Sequence, residues 1–408
     1  MRRLIFFAVL IVVCMPAVAR AARMPAGTQL ASIESTTEKI RHLTHTSSVK
    51  VEFPSNAAFD SLLTAEMHRD DPDSEIALAQ KEMVLQGLLG PRDDLRRLTL
   101  QGLGSLVLGF YDPHHRALYV RNQPDLLSGP ARSTVAHEYT HALQDEHYHL
   151  LKLTPSLINV RYRNSDALVA HHALTEGDAV NTQYLYIFKT YSAQDLAGLT
   201  KMQSQTPAGP ALPKALQSMF YFPYTTGLTF VRKLYQLDGM RSVDGAYARL
   251  PSSTYEIMHP AAYLNHWKPV KISLHAVEGF AAWQVIDDDV YGALQYDVLM
   301  RQYVPGSVAD RVTSGYRGDR YVTLEKNGQD AMLLQSAWAD YRAASSAKVT
   351  LLQALRKRFP RARVLPGAGT TVETPSEAVY LRVSGPRMTV AYAPTSALAL
   401  QLGVASTT

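Results

Sequence analysis

The sequence predicts a mainly helical α+β protein with a small antiparallel sheet and a C-terminal α+β segment that contains hairpins. Apolar residues recur at helical spacing over about 55–104 and again from about 130 to 300. Short β-type segments flank the turn 112–115, and others follow Gly315, where Asn327-Gly328 is a strong hairpin signal. With 408 residues, 46% of them apolar, the chain can bury a sizeable core in two or three lobes.

The N-terminus has the form of a secretory signal peptide. Arg2 and Arg3 precede the apolar run 4–13, and small residues allow cleavage after Ala19 or Ala21. The apolar run is too short to span a bilayer, which takes about 20 residues. We therefore expect an exported protein, secreted or periplasmic, with no stable membrane insertion after cleavage.

Cysteine content and charge narrow the functional classes. Cys14, the only cysteine, lies in the predicted signal peptide, so the mature chain has no thiol for a disulfide or a metal. The net charge of +5 falls to +2, with 38 basic against 36 acidic residues, once the three arginines before residue 22 are lost. The densest basic stretch, 356–363, is interpreted as a solvated helix end, and we expect no nucleic-acid partner.

Periodicity and turn residues place the individual elements. Residues 24–48 are polar without clear periodicity, which predicts a flexible lead-in. The expected helices after residue 104 are 130–151 (Ser128 as cap, Pro130 in the first turn), 166–190 (Ser165 as cap) and 339–359. The expected strands are 105–111, 117–121, and the hairpin pairs 321–326 with 331–336 and 379–383 with 388–392.

The most informative motif is His-Glu-Tyr-Thr-His at residues 137–141. Residues four apart on a helix lie one turn above each other, so His137 and His141 can reach one ion from the same face. Glu138 then projects beside the metal, where it can take a proton from bound water. His-Glu-x-x-His on a helix is the zinc-binding signature of metallopeptidases. We therefore predict His137 and His141 as ligands of one Zn²⁺ ion and Glu138 as the general base.

A catalytic zinc normally takes three protein ligands and keeps one position for water. Glu176 is the favoured third ligand because it lies on the next predicted helix. Gly177 and Ala179 are small enough to let that helix approach the zinc helix closely. The alternative is a surface glutamate in a helical linker.

Other side chains near the motif are weaker ligand candidates. His147 has the spacing of the third metzincin ligand, but residues 142–146 favour a continuous helix. Such a helix rotates His147 about 240° from His141 and places it about 9 Å further along. His171 and His172 are expected to be nearby polar groups rather than ligands. Asp145 could orient a ligand imidazole, and a simple surface or inter-helix contact is the equally favoured alternative.

With His137, His141 and Glu176 as ligands, the chain resembles the gluzincin group of zinc metallopeptidases. More narrowly, it resembles a largely uncharacterised family of secreted bacterial proteins with the same zinc motif. The resembling segments are Gly-Phe-Tyr-Asp-Pro (109–113), Ala-His-Glu-Tyr-Thr-His-Ala-Leu-Gln-Asp (136–145), Thr-Glu-Gly-Asp-Ala (175–179), Phe-Pro-Tyr with Gly227 (222–227), Ser-Thr-Tyr-Glu-Ile-Met-His-Pro (253–260) and Gly-Tyr-Arg-Gly-Asp-Arg-Tyr (315–321). The set spans about residues 85–340, and the last 65 or so residues match weakly.

The resemblance implies a gluzincin-like catalytic core with strand 118–121 near the cleft, where an extended peptide could pair with a strand edge. It also implies a downstream side chain that stabilises the oxyanion. His259 is the expected residue, Tyr224 and Tyr263 are alternatives, and a purely structural place at a helix boundary is the other interpretation of His259. The implied parts are a signal peptide (1–21), an N-terminal lead-in and helices (22–104), a metallopeptidase-like core (105–310) and a C-terminal α+β segment (311–408).

The expected function is a secreted zinc-dependent peptidase that hydrolyses peptide or protein substrates with zinc-bound water activated by Glu138. One alternative is a catalytically inactive, zinc-holding binding or scaffold protein of the envelope, acting through the C-terminal hairpins. Glu138 argues against it, since a purely structural site needs no base. A second alternative is a zinc amidase that acts on cell-wall peptides. The sequence predicts no particular oligomeric state.

Overall fold

The computed structural model describes residues 26–122, 129–153, 163–197, 199, 212–274, 280 and 282–405. The helices used below are α1 (Ala26–Arg41), α2 (Asn56–Asp70), α3 (Asp73–Gln86), α4 (Leu95–Leu106), α5 (Gly129–Tyr148), α6 (Ser165–Thr190), α7 (Lys214–Ala248), α8 (Thr254–Met258), α9 (Pro260–Leu264), α10 (Gly292–Arg301), α11 (Gly306–Thr313), α12 (Tyr341–Arg358) and α13 (Ser396–Ala405). The strands are β1 (Lys50–Glu52), β2 (Gly109–Asp112), β3 (Ala117–Val120), β4 (Gln284–Asp289), β5 (Tyr316–Lys326), β6 (Gln329–Trp338), β7 (Arg363–Pro366), β8 (Thr370–Glu373), β9 (Ala378–Ser384) and β10 (Arg387–Ala393). The predicted signal peptide and the predicted cap Ser128 lie outside the described residues.

The strands of the described ranges form two sheets. A three-stranded sheet of order β1-β3-β2 pairs β1 with β3 in parallel and β3 with β2 antiparallel. A seven-stranded sheet of order β4-β5-β6-β10-β9-β8-β7 is antiparallel throughout. The predicted α+β class is confirmed, although the small sheet gains a parallel strand that the sequence pattern did not indicate.

The C-terminal sheet is covered on both faces because its strands alternate two sets of apolar side chains. One face, which includes Leu334 and Leu381, packs against α12 and the helical core. The other face, which includes Leu333 and Tyr380, packs against Leu402 of α13. The predicted hairpin at residues 321–336 is confirmed and is longer than expected. At its turn Asn327 and Gly328 both have positive φ, 52° and 75°, as a two-residue hairpin turn requires.

The C-terminal sheet begins earlier in the chain than predicted. Strand β4 pairs antiparallel with β5, with Asp289 opposite Tyr321. The predicted boundary at residue 311 therefore separates β4 from the sheet to which it belongs. The pattern of β4 gave no alternation to detect, since Gln284–Asp289 ends in three consecutive aspartates.

The predicted flexible lead-in is wrong over residues 26–41, which form α1. This helix packs Ile33 against α5 and α6, in a cluster that includes Val135, Leu143 and Tyr186. Its last residue, Arg41, is fully buried. Because α1 has a mainly polar composition, its few apolar side chains are not recognisable in the sequence. They are buried only when α1 packs against α5 and α6.

Helices α5 and α6 agree closely with the predicted 130–151 and 166–190. α5 ends at Tyr148 and a short 3-10 turn, Leu150–Lys152, follows it. The cap of α6 is Asn164, whose side chain accepts a hydrogen bond from the Ala167 N–H, rather than the predicted Ser165.

Helix α6 crosses α7 at two glycines. A Cβ on Gly177 would lie 2.3 Å from the Gly227 carbonyl oxygen, and a Cβ on Gly227 would lie 2.2 Å from that of Ala173. The two backbones are thus in direct contact. Gly177 was expected to bring α6 close to the zinc helix, but its open side faces α7 instead.

No helix in the described ranges is both long and apolar enough to cross a membrane.

Candidate metal centre

Two helices bring the predicted ligands together. His137 and His141 lie one turn apart on α5, and Glu176 approaches them from α6. His137 Nε2 lies 3.2 Å from His141 Nε2. Glu176 Oε2 lies 3.3 Å from His137 Nε2 and 3.4 Å from His141 Nε2. Of the residues that the structure describes, these three form the group whose donor atoms could hold a metal ion.

The spacing of the three atoms fits a tetrahedral ion. Ligand bonds of about 2.0–2.1 Å at tetrahedral angles place donor atoms about 3.3 Å apart. The three distances, 3.2, 3.3 and 3.4 Å, match that value. Moreover, Glu176 Oε2 is buried and no donor in the described part of the chain meets hydrogen-bond geometry with it. Two imidazoles and one carboxylate also leave a fourth position open, which is the pattern of a catalytic site.

The three ligands are buried and their charges are coupled. His137 and Glu176 are 0% and 2% exposed, and His141 is 6% exposed. Although burial acts to raise it, the adjacent His141 and His137 hold the pKa of Glu176 well below its usual range. Burial would lower the pKa of His141, but Glu176 raises it to about 9. A divalent cation between these atoms would replace the proton that the pair shares.

Glu138 lies beside this group without a partner of its own. It is fully buried, and its carboxylate oxygens make no hydrogen bond of normal geometry with the described residues. Burial raises the pKa of Glu138 to about 8, while the backbone N–H of Tyr111 acts to lower it. A buried carboxyl with so little compensation costs folding free energy, and such groups are often found at functional sites.

Strand β2 runs past Glu138 and is an outer strand of the three-stranded sheet formed by the described residues. A Cβ on Gly109 would lie 3.2 Å from Glu138 Cγ and 2.9 Å from Thr134 Cγ2, so only glycine allows this approach. The Arg121 N–H donates to the Leu108 carbonyl, and the ladder alternation then turns the N–H and C=O of Gly109 and Tyr111 away from β3.

The predicted edge strand is therefore wrong. Strand 118–121 was expected to offer the edge for a peptide, but it is β3, which lies between β1 and β2. The edge next to the metal ligands belongs to β2.

The orientation of His141 comes from Gln144, not from Asp145. His141 Nδ1 lies 2.8 Å from Gln144 Oε1. Asp145 instead accepts from the Tyr111 hydroxyl at 3.0 Å and from the Leu150 N–H at 3.1 Å.

The other histidines near the motif are not in the metal group. His147 Nε2 lies 2.8 Å from the Thr44 carbonyl oxygen and is not part of the metal group. His172 Nε2 lies 3.9 Å from Glu176 Oε1, at the back of the carboxylate. Burial lowers the pKa of His172 to about 4, so the ring is neutral at pH 7. His171 turns away, towards the Pro251 backbone.

The structure places His259 at the junction of α8 and α9, where it caps both. Its ring packs on Tyr255 at 4.5 Å between centroids, and the charges that act on its pKa are those of Asp310 and Arg317. Its Nε2 is buried and has no hydrogen-bond partner in the described ranges. None of these contacts connects His259 with the metal ligands, and its oxyanion role stays a prediction.

The two tyrosine alternatives lie in different surroundings. The Tyr263 hydroxyl donates to the Arg249 carbonyl at 2.7 Å, and its ring packs on the Arg249 guanidinium. Tyr224 belongs instead to an apolar cluster with Phe110 of β2 and Val180 of α6, the helix that carries Glu176. Of these two, Tyr224 has the contacts that lead to the metal centre.

Comparison with known proteins adds information on the C-terminal part only. Residues 281–402 match the family described as "Domain of unknown function (DUF8575)". This match runs from just before β4 into α13, and it includes none of the metal-site residues. No curated protein and no solved structure matches the chain.

Proposed function

We propose that this chain is a zinc-dependent peptidase that is exported by its N-terminal signal. The observation that carries the proposal is the convergence of His137, His141 and Glu176 at tetrahedral spacing, with Glu138 beside them. Two histidines and one glutamate are the protein ligands of one class of catalytic zinc site. A glutamate between the histidine ligands of one helix is the general base of such sites.

The chemistry is hydrolysis of a peptide bond. Zinc, when bound, supplies a Lewis acid that polarises a carbonyl and brings the pKa of water towards about 7. Glu138 takes the proton from the attacking water and delivers it to the leaving amine.

The outer edge of β2 supports a peptide as the substrate. An extended chain can add to this edge through the N–H and C=O groups of Gly109 and Tyr111. Backbone pairing of this type holds a substrate without regard to its side chains, and it brings a scissile bond alongside Glu138. The same geometry would accept a cell-wall peptide, which keeps a zinc amidase as a variant of this proposal.

A second candidate is a zinc-holding protein without turnover, and one observation favours it. All four residues of the centre are at least 94% buried. An apolar cluster joins α2 to β2, α6 and α7 across this region, with Phe59, Phe110, Val180 and Tyr224 among its members.

The test is digestion of a mixed peptide library by the zinc-loaded mature protein and by Glu138→Gln. The variant keeps the shape and removes the base. Cleavage by the parent alone, abolished by a chelator and restored by zinc, supports the peptidase. Cleavage confined to D-residue peptides supports the amidase. A parent that binds one zinc per chain and cleaves nothing supports the zinc-holding protein.

A further inference from the structure

A chain of buried polar contacts leads from the metal centre to the N-terminal helix. Its first link is the 2.8 Å contact between His141 Nδ1 and Gln144 Oε1. For His141 to bind a metal through Nε2, Nδ1 must carry the ring proton and needs an acceptor. The amide oxygen of Gln144 supplies that acceptor only if the amide is turned the right way.

Two acceptors fix the amide of Gln144. Its Nε2 donates to the Thr175 carbonyl at 3.0 Å and to Asp178 Oδ2 at 2.9 Å. Both protons of the amide nitrogen are thus used, and the oxygen is left to face His141. Thr175 and Asp178 flank the ligand Glu176 on α6, so the same contacts also join the two ligand-bearing helices.

Asp178 is held in turn by a buried arginine. Arg41 Nε lies 2.9 Å from Asp178 Oδ1 and 3.0 Å from Oδ2, and both side chains are 0% exposed. The Tyr247 hydroxyl donates to Asp178 Oδ2 at 2.9 Å. Arg41 also donates to Asp244 Oδ1 at 2.7 Å. A buried ion pair adds little to stability compared with apolar side chains of the same volume, so its retention here calls for another role.

We propose that Arg41, Asp178 and Gln144 form a positioning relay that holds His141 in its metal-binding tautomer. The relay makes α1, the segment first taken for a flexible lead-in, a determinant of metal affinity. Arg41 pairs with Asp178, Asp178 fixes the Gln144 amide, and Gln144 fixes the Nδ1 proton of His141. This inference rests on the proposed zinc site, and none of the three residues touches the metal.

The test measures zinc affinity by competition with a chromophoric chelator in the full mature chain. Arg41→Gln and Asp178→Asn should each weaken zinc binding about 10- to 100-fold, the usual effect of removing a partner of a ligand. Asn at 178 can offer an N–H to Gln144 and turn its amide, which puts a donor against His141 Nδ1. Arg41→Lys, which retains the charge, should recover most of the affinity. Co²⁺ spectra of the same variants should show a changed ligand field.

A matched control separates the relay from general destabilisation. Arg358 is also partly buried, donates to the Val84 and Leu85 carbonyls, and pairs with Glu377 at 3.1 Å, far from the relay. Arg358→Gln should destabilise the chain and leave its zinc affinity unchanged. Equal affinity in parent, Arg41→Gln and Asp178→Asn would overturn the relay.

If Arg41→Gln does not fold, a double-mutant cycle of Gln144 and Asp178 tests the proposal instead. Gln144→Leu removes the middle link and leaves the Arg41–Asp178 pair in place. Asp178→Asn should then cause no further loss of zinc affinity in the Gln144→Leu background. A full additional loss would show that Asp178 acts through the fold and would overturn the relay. A parent that binds no zinc overturns the metal site and the relay together, whereas unaffected variants of a zinc-binding parent overturn the relay alone.

Discussion

Helix α6 and strand β9 are both buried, but they bury different chemistry. Every residue of α6 from 166 to 183 is buried. The buried side chains include the polar or charged residues Asp166, His172, Glu176 and Asp178. In β9, Val379, Tyr380 and Leu381 fill the two apolar faces of the sheet. The sheet gains free energy from burial, and α6 loses some of that gain to desolvation.

The difference teaches where function is placed in this molecule. Buried polar groups persist when each has a defined partner or a ligand to bind. The polar groups of α6 join the proposed metal ligands to α5 through Gln144 and to α1 through Arg41, and Ser165 at the start of α6 donates to Asp289 of β4. The C-terminal sheet is thus held mainly by apolar burial, and the helical region contains the group that could hold a metal ion.

Replacing Glu138 with Gln should have the largest effect, because it should change peptidase activity strongly without lowering stability. Peptidase activity should fall by about 10²–10⁴-fold, because the general base is lost. The free energy of unfolding should stay the same or rise, since a buried carboxyl without a partner is removed. Cleavage rates at saturating zinc and denaturant titrations measure the two effects. Glu146→Gln, the same change on the same helix, is the control and should leave activity unchanged.

Replacing Leu381 with Ala should give the opposite result. Leu381 is 0% exposed in the sheet core, and truncation should lower the free energy of unfolding by about 2–5 kcal/mol. Zinc affinity of the folded variant should equal that of the parent, because no polar contact of the metal centre is involved. Urea denaturation and chelator competition provide the two values. A variant with lost zinc affinity and full stability would contradict the division between the apolar sheet and the helical metal group.

Replacing Gly177 with Ala tests the contact between α6 and α7. The new Cβ would lie 2.3 Å from the Gly227 carbonyl oxygen, so the helices must separate. We expect the free energy of unfolding to fall by about 3 kcal/mol, which is at the upper end of overpacking effects. Gly245→Ala on α7 is the control, since its Cβ meets nothing within 4 Å, and it should be neutral or stabilise by about 0.5–1 kcal/mol. Thermal unfolding measures the stability of both variants. Equal stability of Gly177→Ala and Gly245→Ala would contradict the close crossing of α6 and α7.

Asp166 gives the smallest expected effect, and it accepts hydrogen bonds from Thr254 at the start of α8. Burial raises its pKa to about 6, with the nearby Asp289 adding to the rise and hydrogen bonds from Ser253 and Thr254 opposing it. Because the folded pKa exceeds the unfolded one, ionisation of Asp166 penalises the folded state as pH rises from about 4 to 6. The stability of Asp166→Asn relative to the parent should therefore rise by about 1–3 kcal/mol between pH 4 and pH 7. Urea titrations across this range should show that trend; a constant difference would contradict it.

Local sequence rules predicted part of the centre. Four-residue spacing on a helix was enough for His137 and His141, because both ligands and the base lie within two turns. Glu176 required a pairing of two helices, and the structure brings it to the expected place. Arg41 could not be predicted, since its partner Asp178 is 137 residues away and α1 has a polar composition.

The same limit applies to the fold. The hairpin at Asn327-Gly328 follows from turn chemistry, and it was predicted correctly. Strands β7 and β8 were not predicted. They are four residues long, and the mainly exposed β7 lacks the alternation that marks a half-buried strand. β8 is placed by pairing with β9, and β7 by pairing with β8, and both pairings are properties of the assembled sheet.

The most direct test of the account is a zinc titration of the purified mature chain beside Glu176→Ala, with Glu146→Ala as the control. The account predicts one zinc per chain in the parent and the control, and affinity weakened by at least about 100-fold in Glu176→Ala. Unchanged zinc affinity in Glu176→Ala, or a parent that binds no zinc, would contradict the central claim that His137, His141 and Glu176 form a metal site.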